Sequence, residues 1–140
     1  MRVLTKAVVV ASAALVAMVL GLIGCSGQGA ADRPGETLSR MLVALADGRY
    51  EDACRLTADA DGRIEDGTRL AACTERMRVY AEGSGYRALR SLRDVGIPPP
   101  DVDGRRAEID GAEMTGASAA FREGTFELVR IDQRWYVSSR

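Results

Sequence analysis

The stretch ALADGRYEDACRLTADA, Ala44–Ala60, holds the punctuation on which the fold turns. Upstream and into it, Leu38, Met41, Leu42 and Leu45 recur at i, i+3, i+4 and i+7, the apolar stripe of an amphipathic helix. That spacing predicts a first helix over Glu36–Asp47, with Gly48 as its left-handed stop. A second helix over Tyr50–Thr57 follows at once, with Tyr50, Ala53, Cys54 and Thr57 on its inner face. Ala58–Gly67, ADADGRIEDG, reads as a loop with two acidic clusters. A third helix over Thr68–Glu82 places Leu70, Cys73, Met77 and Tyr80 at helical spacing and ends at Gly83.

Further along, Tyr86–Val95 fits two patterns. Tyr86, Ala88, Arg90 and Leu92 alternate as in a strand, while Ala88, Leu92 and Val95 suit a short helix. Gly96 and Pro98–Pro100 end either one. The rest reads as sheet. Val102 and Arg105–Ile109 flank the turn dipeptide Asp103-Gly104, and Gly116–Phe121 is taken as the next strand. Thr125–Ile131 then turns through Asp132–Arg134 into Trp135–Ser139. Helices first and strands last predict an α+β domain, its helices on one face of a curved, antiparallel, cone-like sheet.

The start of the chain has a different character. Arg2 and Lys6 precede an uncharged, almost wholly apolar run, Ala7–Ile23, that stops at Cys25 and gives way to small and polar residues. A positive start, an apolar middle and small residues before a cut define a secretory signal. Leu22-Ile23-Gly24-Cys25 resembles the lipobox of bacterial lipoproteins. That resemblance implies a diacylglycerol thioether on Cys25, cleavage before it, and a palmitate-type anchor on the outer face of the cytoplasmic membrane. Two acyl chains hold a protein at a membrane where one binds marginally. The other reading is an uncleaved span, for which 17 residues is at the short end. The organisation expected is therefore a signal peptide over 1–24, a flexible tether over 25–35 and one domain over 36–140.

Removal of Arg2 and Lys6 with the leader leaves 17 arginines against 20 acidic residues, a net charge of −3. Net acidity argues against nucleic acid, whose phosphates require a basic surface. There is no His or Asn, and the sole Lys lies in the leader, a composition of GC-rich, actinobacterial type. Imidazole catalysis, a lysine Schiff base and N-glycosylation are thereby excluded. With Cys25 given to lipid, Cys54 and Cys73 remain as an even pair outside the cytoplasm, which is read as a disulfide. Closing a loop of about 20 residues contributes roughly 3 kcal/mol in the chain-entropy model. Two buried free thiols are the alternative; a metal site would need further ligands.

The helix–DGRYEDAC–helix start and the terminal hairpin FELVRIDQRWYVSS resemble small secreted domains of the nuclear transport factor two-like (cystatin-like) superfamily. The resemblance spans most of 36–139 and implies a first helix lying in the cone of the sheet. It departs from the usual pattern at Gln133, where a glycine turn is common, and at Pro98–Pro100. The superfamily holds isomerases, cyclases and dehydratases as well as non-catalytic domains, so fold does not settle function. None of Asp47, Asp52 or Asp110 matches a catalytic position, and no catalytic, cofactor or metal residue is carried over.

Other constellations are weighed against simpler roles. DADG (Asp59–Gly62) and DVDG (Asp101–Gly104) lack the ligand spacing of a calcium loop and read as turns. Arg87, Arg90 and Arg93 form a solvated stripe, or one that faces anionic headgroups. Tyr50, Tyr80, Phe121, Phe126, Trp135 and Tyr136 fill a core or line a pocket. The function expected is a non-catalytic binding or accessory module of the cell envelope. Its partners are the membrane, through the anchor, and an envelope protein or a small apolar ligand. The alternative is an isomerase- or cyclase-type enzyme using a pocket carboxylate whose pKa is raised by desolvation.

Overall fold

The computed structural model describes residues 33–139. Helix α1, Pro34–Ala46, opens with proline at a position where the missing N–H costs nothing. Its end is a Schellman motif: Gly48 (φ 72°) donates to Leu45 O at 3.1 Å and Arg49 to Ala44 O at 2.8 Å. The chain reverses there and enters α2, Tyr50–Arg55. Asp47 fixes this corner, taking Arg93 at 2.6 Å on one oxygen and Arg49 at 3.3 Å on the other.

Strands β1 (Thr57–Asp59) and β2 (Gly62–Arg63) form a tight hairpin, so Thr57 opens a strand and does not close the second helix, and the expected loop is partly sheet. Its turn is held by Asp59, whose carboxylate accepts from Asp61 N at 2.9 Å and from Arg69 of the next helix. Helix α3, Gly67–Ser84, leads through Gly85 into α4, Tyr86–Arg90, and a 3₁₀ turn, Ser91–Asp94. Both are helical because Leu89 and Leu92 turn into the core, which settles the ambiguity of this stretch. Strands β3 (Asp101–Asp103) and β4 (Arg106–Asp110) follow around Gly104 at φ 56°.

Gly116–Phe121 is not a strand. After a 3₁₀ turn, Gly111–Glu113, the chain crosses to helix α5, Ala119–Arg122, nucleated by two alanines and anchored by buried Phe121. Strands β5 (Thr125–Ile131) and β6 (Arg134–Ser138) complete a six-stranded sheet of order β2-β1-β6-β5-β4-β3. The sheet is mixed, not wholly antiparallel: β1 runs parallel to β6, Thr57 opposite Val137. Val137 N donates to Leu56 O and Ser139 N to Ala58 O, both at 2.9 Å. The early chain thus pairs with the last strand.

Register puts Ala107, Ile109, Phe126, Leu128, Trp135 and Val137 on one sheet face. The stripe of α1 packs there, with Leu38 and Leu42 at 0% and 1% exposure. Complete burial of each such leucine contributes roughly 1.5–3 kcal/mol. Tyr136 lies on the opposite face, across from Val129.

The β5–β6 connection is a two-residue turn in which both Asp132 (φ 47°) and Gln133 (φ 67°) are left-handed. Aspartate tolerates this conformation better than glutamine. Gln133→Gly is expected to raise stability by about 0.5–1 kcal/mol, the left-handed penalty less glycine's entropy. A urea midpoint that falls instead would show that the 2.8 Å bond from Arg130 to the Gln133 amide outweighs the strain.

Candidate functional site

Helix α3 has 18 residues but buries only Leu70, Cys73 and Ala81. Its first half belongs to a small cluster of Cys54, Ile64, Leu70 and Cys73, separate from the main core, and Met77 touches both. Cys54 of α2 and Cys73 of α3 meet at disulfide distance, Cα atoms 6.0 Å apart. Arg69 adds a second tie, bonding Asp59 at 3.2 Å and Gly62 O at 2.9 Å. Held at these points, α3 stands beside α1 with a gap between them.

That gap is an apolar cleft of about 470 Å³, within the roughly 300–1,000 Å³ of small-molecule sites. Met41, Leu42 and Leu45 of α1 form one wall; Cys73, Arg76, Met77 and Tyr80 of α3 form the other. Ala120 and Phe121 of α5, with Gly124, Thr125 and Phe126, close one end. Tyr80 and Phe121 meet edge to face, ring centres 5.9 Å apart and planes at 87°, a preferred aromatic geometry. Thr57 and Ser139 also line it, but their hydroxyls already donate to Cys54 O (2.7 Å) and Ala58 O (3.2 Å). Among the described residues, no carboxylate lines this cleft and Arg76 is the one charged residue that does.

The carboxylates weighed from sequence lie elsewhere. Asp52 pairs with Arg49 at 3.1 Å and lines a second, charged groove of about 410 Å³ between α1 and α2. Asp110 accepts from Ala112 N at 2.9 Å and caps a 3₁₀ turn. At Asp47, burial opposes ionisation, but the Arg49 and Arg93 guanidiniums outweigh it and hold the carboxyl below its ordinary value. Arg69 lowers Asp59 in the same way, and Arg78 lowers Glu75. Each of these shifts favours the ionised form, opposite to what a desolvated general base or acid needs.

The arginine stripe is dispersed: Arg93 is bound to Asp47, and Arg90 stacks 5.1 Å above the Tyr86 ring. The aromatic set divides as well. Tyr80, Phe121 and Phe126 line the cleft, Trp135 lies in the main core, and Tyr50 packs at its edge. Arg76, Met77 and Thr125 were not legible as site residues. The signal for the first two is that Cys73, Arg76, Met77 and Tyr80 recur at i, i+3, i+4 and i+7, so a helix facing with Cys73 presents all four.

Cys25 and the leader lie outside the described residues. Among the described residues, no group of three His, Cys, Asp or Glu could hold a metal, and no helix is long and apolar enough to cross a membrane. Compared with known proteins, the chain matches no family model, no curated sequence and no solved structure at a significant level.

The end of the cleft depends on Gly111, whose N–H donates to Gly124 O at 2.8 Å. A Cβ at Gly111 would collide with the carbonyl oxygens of Gly124 and Phe121. Gly111→Ala is expected to push α5 and Phe121 outward and cost about 1–3 kcal/mol, as overpacking does. An unchanged denaturation midpoint would contradict this docking of α5.

Proposed function

We propose that the chain is a bacterial lipoprotein anchored through Cys25 at the outer face of the cytoplasmic membrane. On this reading its domain is of the nuclear transport factor two-like type, with α1 in a cone-like sheet, and is a non-catalytic binding module. The observation that carries the binding function is the cleft between α1 and α3. It is lined by Met41, Leu42, Leu45, Met77, Phe121 and Phe126, and among the described residues it holds no carboxylate to act as base. Its polar hydroxyls at Thr57 and Ser139 are already bonded to backbone, so what remains on offer is chiefly apolar surface. Such a site recognises ligands by burial of apolar area. The anchor rests on Leu22-Ile23-Gly24-Cys25 after an apolar run, and an extracytoplasmic location agrees with two further cysteines at bonding distance.

The two halves are tested with two variants. Cys25→Ser is expected to move the chain out of the membrane fraction or leave it as uncleaved precursor. The released chain is expected to enhance the fluorescence of a neutral probe, N-phenyl-1-naphthylamine, and Tyr80→Ala, at a half-exposed wall position, to weaken that binding. Acylated product still in the membrane would contradict the anchor. Fluorescence indifferent to Tyr80→Ala would contradict the cleft.

A further inference from the structure

The one charge that the described residues bring to the cleft gives its ligand a polarity. Helix α3 carries two arginines two residues apart, and they are treated differently. Arg78 is consumed on the helix surface by Glu75, at 2.6 Å, and by Glu82. Arg76 makes no ion pair with a described residue and lines the cleft instead. Tyr80, one turn further on, adds a hydroxyl that makes no hydrogen bond with a described residue. Among the described residues, the polar groups left over in the lining can therefore donate, beside one cation and without a competing carboxylate.

Resting on the binding reading above, we propose that the cleft takes a single acyl chain ending in a carboxylate, a ligand of the fatty-acid class. The tail lies against Met77, Phe121 and Phe126, and the head meets Arg76. The planar guanidinium presents a fork that matches a carboxylate, and Tyr80 supplies a further donor. One cation matches a monoanion, whereas a terminal phosphate at near double charge would leave charge uncompensated. A volume of about 470 Å³ lies in the lower half of the small-molecule range and suits one chain, not the two of a phospholipid.

The test uses the full acylated protein in nanodiscs of neutral phosphatidylcholine. Photoreactive palmitic acid and the photoreactive alcohol of the same length are titrated in, and the crosslinked peptides are mapped by mass spectrometry. The acid is expected to label α3 and α5 peptides at roughly tenfold lower concentration than the alcohol, the scale of a charge-assisted hydrogen bond. Arg76→Gln is expected to erase that difference while the alcohol labels as before; Arg76 is exposed, so the fold is not at risk. Equal labelling by acid and alcohol overturns the carboxylate inference but leaves the apolar cleft standing. Labelling by neither overturns both, and preferential labelling by a photoreactive diacyl phospholipid overturns the single-chain assignment.

Discussion

The approach of Cys54 and Cys73 to disulfide distance is the constraint on which the placement of α3, and with it the cleft, depends. An 18-residue helix with three buried residues does not hold itself against a sheet by apolar burial. Helix α3 is instead fixed at its cysteine, at Arg69 on the hairpin turn and at Ala81 near its end. The face between these points, Met77 and Tyr80 with Arg76 beside them, is held close to the main core without merging into it. A helix packed tightly by its own leucines would have filled that space. The cleft is the consequence of a helix positioned at the close Cys54–Cys73 pair more than by packing.

The main core is built on the opposite principle. The α1 stripe, the inner residues of β4 to β6, and Leu89 and Leu92 form one apolar cluster. Its edges are closed by exposed or half-exposed charge pairs, of which the Asp47–Arg93 contact joins the end of α1 to the turn after α4. Such pairs add little stability individually, but they fix the path of the chain at its corners. Two small cores, one packed and one tied, leave a seam, and the apolar cleft opens along it.

Much of this was legible in the sequence, for reasons that can be named. The α1 stripe declared itself through i, i+3, i+4 and i+7 spacing, and the Gly48 stop gave the reversal. The β5–β6 hairpin was visible because strand-forming residues flank a short polar turn, although Gln133 and not glycine takes the left-handed position. The approach of Cys54 and Cys73 to disulfide distance agrees with the expectation drawn from an even cysteine pair. What stayed hidden is non-local. β1 is a strand because Val137 and Ser139 supply its partners from the far end of the chain, and nothing within ADADGRIEDG announces that. Helix α5 was missed because ASAAF is too short for periodicity to separate helix from strand; burial of Phe121 decides it. The cleft combines α1, α3, α5 and β5, so it exists only after packing.

A disulfide that, more than packing, holds α3 beside α1 is tested by hydrogen exchange on the native protein before and after mild reduction. Amides of 67–84 are expected to lose protection on reduction while those of α1, β5 and β6 keep theirs. Protection of α3 that survives reduction intact, or a loss spread evenly over the whole domain, would contradict it.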